Sequence, residues 1–233
     1  MVPTVRDISA VEAAIEELSG DSPDFGLPIP EPNQTQINQL ARMGPLYRKW
    51  NARINVISRK DMEQFFTRHV LHSLSIARVL QAKPDARVLD VGTGGGFPGI
   101  PLAILFPDVQ FTLCDSIGKK VKVTEAVTKA LELHNVESVW RRVESLTDVQ
   151  LFDFVVSRAV TRMPKFVEWV RPLVHSVHRH TLPNGILYLK GGSLQEELDP
   201  VREPITSWSL APLFQDPFFE TKHLIHVELG QKE

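Results

Sequence analysis

An acid two residues ahead of a glycine run is the first place in this chain where residue types and spacing suggest chemistry. The run reads Asp90-Val91-Gly92-Thr93-Gly94-Gly95-Gly96-Phe97-Pro98-Gly99, and a second acid, Asp115, follows 25 residues after Asp90. Gly92, Gly94 and Gly96 lack side chains, which lets a ligand approach the backbone. Gly94 to Gly99 fits G-x-G-x-x-G, a pattern that seats a pyrophosphate on a helix N-terminus. Asp90 argues against that ligand, because its carboxylate would face a pyrophosphate unfavourably. Pro98 also deletes one amide that a phosphate would use. The charge of Asp90 suits the ammonium group or sulfonium centre of S-adenosylmethionine. Asp115 is placed to accept hydrogen bonds from ribose hydroxyls, which serves both cofactor classes. A tight turn with a capping acid and no ligand is the plain alternative.

The usual catalytic groups are missing. No Asn/Asp-Pro-Pro-Tyr/Phe run, the arrangement for methylating an adenine amino group, follows the fourth expected strand; Ser157-Arg158-Ala159 stands there. Cys114 reads as a small buried residue. His175, His178 and His180 lie close together without a neighbouring Cys or acid, so a solvated loop is expected and no metal site. His69 and His72 lie three apart on one expected helix, as helix contacts or as substrate contacts. An enzyme without a general base needs an atom that is already nucleophilic. Guanine N7 is one, and catalysis would rest on alignment plus positive charge near O6 and N7, with Arg158 in the right neighbourhood.

Elements must hold these residues in place. Arg87–Val91 reads as a buried strand entering the glycine turn, with a helix over Pro98–Leu105 after it. Val109–Cys114 is a second strand ending at Asp115, followed by a helix over Gly118–Leu133. Strands are expected at Val139–Arg141, Phe152–Ser157 and Gly185–Leu189, with a helix over Pro164–Val174. Ile205–Trp208 and His223–Leu229 close the pattern as a strand pair. Alternating strands and helices predict an open α/β sheet with helices on both faces, its ligand beyond the carboxyl ends of the strands. Ahead of it stand an amphipathic stretch, Val11–Leu18, and a connector punctuated by Pro23, Pro28, Pro30 and Pro32. A helix from Gln36 follows, which Gly44-Pro45 is expected to bend or interrupt. A second runs over Asp61–Leu80, capped by Ser58 or Asp61.

The 233 residues carry 26 Lys+Arg against 28 Asp+Glu, an ordinary globular balance with an uneven distribution. Residues 1–32 hold one base and seven acids, whereas 33–83 hold nine bases and two acids. That basic lobe is either a docking surface for a polyanion or a set of solvated helix faces. A single cysteine excludes an internal disulfide. No run of 18 apolar residues exists, so no membrane span is expected, and the expectation is a cytoplasmic protein.

The motif from Leu89 to Leu102, LDVGTGGGFPGIPL, resembles the signature of the RsmG/GidB family, bacterial 16S ribosomal RNA guanine-N7 methyltransferases. Trp50-Asn51, Asn55 to Ser58, Arg68 to Leu74, Asp115 to Lys120, Arg142-Val143-Glu144, Ser157-Arg158-Ala159 and Leu189-Lys190-Gly191 agree in order and spacing. The similarity covers about residues 35–200.

The resemblance implies a class I S-adenosylmethionine-dependent methyltransferase: a Rossmann-like, mostly parallel seven-stranded sheet with helices on both faces. Residues 1–32 would be an acidic extension, either a tail or an arm over the basic lobe. Residues 33–83 would form a helical cap and 84–233 the methyltransferase domain. The implied product is 7-methylguanosine in the 530 loop of the small-subunit RNA. Carried over by position, Gly92, Gly94 and Phe97 line the methionine end of the cofactor, Asp115 the ribose, and Val143 and Glu144 the adenine. Arg158 sits between cofactor and target base. Arg48, Lys49, Arg59 and Lys60, with Lys119, Lys120, Arg141 and Arg142, would meet RNA phosphates of 16S rRNA or the small ribosomal subunit. A monomer without an obligate protein partner is expected. Many relatives carry Asp where this chain has His72. A small-molecule methyltransferase and a cofactor-binding RNA-assembly factor without turnover remain as alternatives, with an NAD-dependent dehydrogenase last.

Overall fold

The computed structural model describes residues 3–20, 22, 24–25, 28–58 and 60–230; Pro23 and Arg59 lie outside the described residues. Its elements in chain order are α1 Val5–Ser19, α2 Gln34–Asn51, a π-helix Phe66–Leu71, α3 His72–Leu74, β1 Arg87–Val91, α4 Gly99–Leu105, β2 Gln110–Asp115 and α5 Gly118–Ala130. They continue with β3 Val136–Trp140, β4 Phe154–Arg158, α6 Met163–Val170, β5 Gly185–Gly191, α7 Gln195–Leu198, β6 Ile205–Ser209 and β7 Lys222–Glu228. The seven strands form one sheet in the order β3-β2-β1-β4-β5-β7-β6. Pairing is parallel from β3 through to β5, and β7 runs antiparallel between β5 and β6.

The strand order reverses at β1 and β4, so the crevice for a ligand opens beyond Val91 and Arg158. Val91 pairs with Cys114 on one side and Ser157 on the other. The Ser157 hydroxyl donates to the Val91 carbonyl at 2.8 Å, which pins the two strand ends together.

Alternation along the strands divides the core, because successive side chains leave opposite faces of a sheet. Val88, Leu113, Phe154, Val156 and Leu187 pack on one face with α2, α4 and α5. Leu89, Cys114, Val155, Ile186 and Tyr188 pack on the other against Phe166, Val167 and Val170 of α6.

The N-terminal elements differ from the sequence expectation in three ways. First, α2 runs through Pro45 without a break. An interior proline costs about 3 kcal/mol, but burial of Leu40, Met43 and Tyr47 outweighs it at roughly 1.5–3 kcal/mol per large side chain. A capping box between Asn33 and Gln36 starts α2, and the Gln36 amide also donates to the carbonyls of Ile104 and Leu105 at the end of α4.

Second, the expected helix over 61–80 is a turn followed by the π-helix, α3 and a 3-10 turn, Ser75–Arg78. Ser58 and Asp61 do bond to each other at its start.

Third, residues 1–32 contribute Val11, Ala14, Leu18, Phe25 and Ile29 to the main core. Buried Arg78 fastens them by donating to the carbonyls of Leu18 and Phe25. Two of the nine bases of the 33–83 lobe are therefore turned inward, since Arg42 likewise donates to the Ala130 carbonyl at the end of α5. No helix among the described residues is long and apolar enough to cross a membrane.

Candidate functional site

The glycine turn leaves β1 and enters α4, with Gly92, Gly94 and Gly96 at φ of 65°, 59° and 98°. L side chains rarely adopt that conformation, so the turn requires glycine. Asp90 is fully buried beneath it. Its Oδ2 accepts the Thr93 hydroxyl at 2.6 Å and the Gly99 amide at 2.8 Å, while Oδ1 has no partner among the described residues. Burial pushes its carboxyl up to about 7, against the opposing pull of those two hydrogen bonds and of Arg158.

Most amides of this turn are engaged within the protein. Gly96 and Phe97 donate to the Thr93 carbonyl, Ile100 to Gly96, and Gly94 to Asp115. A pyrophosphate would find these donors already taken, which strengthens the argument against a dinucleotide. Asp90 thus acts on the turn from within, through its bonds to Thr93 and Gly99.

Asp115 closes β2 and is almost fully buried. Its Oδ2 accepts the Gly94 amide and its Oδ1 the Ile117 amide, each at 2.9 Å, and Lys120 lies 3.8 Å away. Each carboxylate oxygen keeps a further acceptor site for a hydroxyl. A cavity of about 300 Å³ opens here, walled by Gly92, Asp115, Ile117, Val143, Glu144 and Val160. Val143 and Glu144 sit in a 3-10 turn after β3, where the sequence places them. Ile117 is 46% exposed and Val160 36%, unusual exposure for aliphatic side chains facing a cavity. Lys120, Arg141 and Arg142 also border it, and Arg141 pairs with Asp148 at 2.9 Å. Cys114 is inert at its edge, its thiol pushed up to about 12 by burial and then by Asp115 and Asp90.

A second cavity, of about 420 Å³, meets the first at Ala159. Ala159 has φ of 55°, a left-handed conformation that costs an alanine energy and is held here at the β4 terminus. Arg68, His69 and His72 form one wall, Lys190 and Glu197 a second, and Phe218 with Lys222 a third. The π-helix supplies Arg68 and His69 of the first wall, as such segments frequently do at functional sites, and α3 supplies His72.

Arg158 crosses to that wall. Its Nη1 donates to the Arg68 carbonyl at 3.0 Å, its Nη2 lies 2.8 Å from His69 Nδ1, and its guanidinium lies over Phe97 at 5.5 Å. Burial lowers its pKa to about 10, which leaves it cationic at neutral pH. Burial and then the charge of Arg158 pull His69 down to about 3 and hold His72 well below the usual histidine range. Phe97 also packs against Tyr47 and Phe65, and the Tyr47 hydroxyl donates to the Gly95 carbonyl, joining α2 to the turn.

Of the described cations expected to meet RNA, Lys120, Arg141 and Arg142 border the first cavity, and Arg48, Lys49, Lys60 and Lys119 line neither. Arg48, Lys49, Lys60 and Lys119 are exposed, as are Arg141 and Arg142, and Arg59 lies outside the described residues.

A family model described as rRNA small subunit methyltransferase G matches residues 36–225. A protein of Flavobacterium johnsoniae with that name is 53% identical over 203 residues, covering 86% of this chain and 96% of its own length. The chain belongs to this family. The namesake from Porphyromonas gingivalis is 50% identical over 202 residues, covering 86% of this chain and 90% of its own.

Among solved structures, a SAM-dependent methyltransferase from Aquifex aeolicus aligns with a TM-score of 0.54 at 13% identity, covering 74% of this chain and 99% of its own. TrmN from Thermus thermophilus aligns at 0.53 and 15% identity, covering 81% and 53%. At such identities these establish the fold, the class I methyltransferase sheet. The cofactor of the family is S-adenosylmethionine. The site suits it in the acceptor sites left on Asp115, the apolar flanks of Ile117 and Val160, and the engagement of the Gly94, Gly96 and Phe97 amides within the protein. A Cβ on Gly94 would meet only the Gly92 carbonyl, at 3.9 Å, so the space above the turn is open to a ligand.

Several residues of the second cavity escaped sequence reasoning. Lys190, Glu197, Phe218 and Lys222 come together only because β5 pairs with β7, Gly191 opposite Lys222. The histidine segment 175–180 is also corrected. Ser176, Val177 and Arg179 are exposed as a solvated loop would be, but the His180 side chain lies 3.3 Å from buried Asp153 and accepts the Lys83 amide. His178 accepts the Asn184 amide beside Glu228. Asp153 and Glu228, distant in sequence, supply the acids that seemed to be lacking. Among the described residues no group of three or more His, Cys, Asp or Glu is placed to hold a metal.

Proposed function

We propose that this chain transfers the methyl group of S-adenosylmethionine to N7 of a guanine in the 530 loop of 16S ribosomal RNA, releasing S-adenosylhomocysteine. The observation that carries this reading is the junction at Ala159. The cavity of about 300 Å³ beside Asp115 lies on one side, and on the other the cavity of about 420 Å³, whose two histidines are neutral and weakly basic. An effective general base has a pKa near the working pH, and neither histidine does. The lone pair of guanine N7 needs no proton removed.

S-adenosylmethionine supplies an electrophilic methyl group on a sulfonium sulfur. Asp115 accepts the ribose hydroxyls, Gly92 and Gly94 admit the methionine end, and Phe97 supports the turn beneath it. Ile117 and Val160 offer apolar surface to the adenine, with Val143 and Glu144 at its edge. Arg158 orders the wall against which the target base rests, so catalysis is alignment and exclusion of water. Arg48, Lys49, Lys60, Lys119 and Arg142 track RNA phosphates, while Lys120 and Arg141 also face acids of the protein. The chain works in the cytoplasm as a monomer, on RNA or on the small subunit.

The test is to incubate the protein with labelled S-adenosylmethionine and small subunits lacking the modification, then identify the labelled nucleoside by mass spectrometry. 7-Methylguanosine is expected. Label in another nucleoside, or none despite cofactor binding, overturns the proposal.

A further inference from the structure

His69 is held in one tautomer. A guanidinium has only donors, so the Nδ1 that meets Arg158 Nη2 at 2.8 Å must accept, and the ring proton resides on Nε2. That Nε2 is nearly closed off from water and has no acceptor among the described residues. The ring is wedged between Phe65, at 6.0 Å and nearly parallel, and Phe97, at 5.2 Å, which fixes its direction. It belongs to the wall of the larger cavity, the one that reaches Ala159. Buried donors are matched in nearly all folded proteins. An unmatched one beside a substrate-sized cavity indicates that a ligand brings the acceptor.

We propose that His69 is the residue that distinguishes guanine from adenine, its Nε2–H donating to guanine O6 while Arg158 holds the tautomer that makes this possible. The inference rests on the reading of the larger cavity as the target-base site. A donor to O6 leaves the neighbouring N7 lone pair free, as methylation there requires. Adenine presents an amino group at the same place, and two donors facing each other leave both unpaired. Arg158 is a positioning residue in this scheme. Two of its nitrogens are already committed to the Arg68 carbonyl and to His69, so its contribution to base selection passes through the imidazole.

The experiment pairs one enzyme atom with one substrate atom. Small subunits are reconstituted with RNA carrying either guanine or 2-aminopurine, which keeps N7 and lacks O6, at the target position. Methyl transfer is measured with the wild-type protein, His69→Phe and His69→Gln. Intrinsic differences in N7 reactivity cancel when the guanine-to-2-aminopurine ratio is compared between proteins. The ratio of kcat/KM is expected to fall about tenfold from wild type to His69→Phe, the size of one hydrogen bond. His69→Gln, whose amide can both accept from Arg158 and donate onward, is expected to restore most of it. An unchanged ratio in His69→Phe, with both substrates slowed alike, overturns the proposal and leaves His69 a packing residue. Should His69→Phe fail to fold, His69→Leu replaces it with the same expected fall, and an unchanged ratio there likewise overturns the proposal. Failure of wild-type protein to methylate the guanine substrate would instead sink the underlying functional reading, a distinguishable result.

Discussion

Asp90 Oδ2 accepts the amide of Gly99 at 2.8 Å, nine residues further along the chain and at the start of α4. That bond makes the acid at the end of β1 the internal cap of the helix leaving the glycine turn. Its burial raises the carboxyl to about 7, above the ordinary aspartate value, so the native state favours the protonated form. The stabilisation is fully present below about pH 4 and is lost as pH rises through 7. Asp90→Asn keeps the acceptor and removes the titration. Its stability relative to wild type should therefore rise between pH 4 and 7, by roughly 4 kcal/mol at most. Denaturant unfolding at several pH values checks this, and a pH-independent difference would contradict it.

The glycines of the turn should separate by phenotype. A Cβ on Gly99 would lie 2.2 Å from Leu113 Cδ2 and 2.7 Å from Asp90 Oδ2, so Gly99→Ala is a folding lesion of about 1–3 kcal/mol. Gly94→Ala meets no such obstacle but must hold a positive φ, costing about 1–2 kcal/mol, and its methyl enters the open space above the turn. Thermal melts should rank Gly99→Ala lower, and titration with S-adenosylhomocysteine should show the larger affinity loss in a still-folded Gly94→Ala.

Asp115→Ala removes the acceptor proposed for the ribose and leaves the Gly94 and Ile117 amides unmatched. Charge-assisted hydrogen bonds of this kind contribute about 1.5–3 kcal/mol. Calorimetry should show affinity for S-adenosylhomocysteine falling about 10- to 100-fold, and an unchanged affinity would remove Asp115 from the site.

Phosphate contacts should reveal themselves through salt. Charge reversal of Arg48, Lys49 and Lys60 is expected to reduce the slope of log affinity for RNA against log salt concentration by about 2–3. The turnover of bound substrate should stay near wild type, since none of the three borders either cavity. Equal slopes for variant and wild type would move the RNA surface elsewhere.

What the sequence made legible follows from how each feature is encoded. β1, β2 and β5 are short apolar runs ending at Asp90-Val91, Asp115 and Lys190, and the glycine turn is written as glycines. Those features are local, and the cofactor side of the site is built from them. The third strand begins three residues before its expected start because Val136–Ser138 alternates weakly. The larger cavity is non-local. Phe218 and Lys222 face His72 and Arg68 across strand pairings that no window of residues contains. The helix expected over 61–80 shows the limit of a 3.6-residue pattern. Its apolar spacing is satisfied by a π-helical segment followed by α3, which place Arg68, His69 and His72 at the site. Arg78 counted as surface charge in a tally of bases, yet it is buried against Leu18 and Phe25.

The most direct test of the account is a crystal structure with S-adenosylhomocysteine bound. The ribose hydroxyls should meet Asp115, the adenine should lie between Ile117 and Val160, and the sulfur should face Ala159 and the cavity that contains His69. A nucleoside bound in any other cavity, or a sulfur turned away from Ala159, would contradict the assignment of the two cavities and the methyl transfer derived from it.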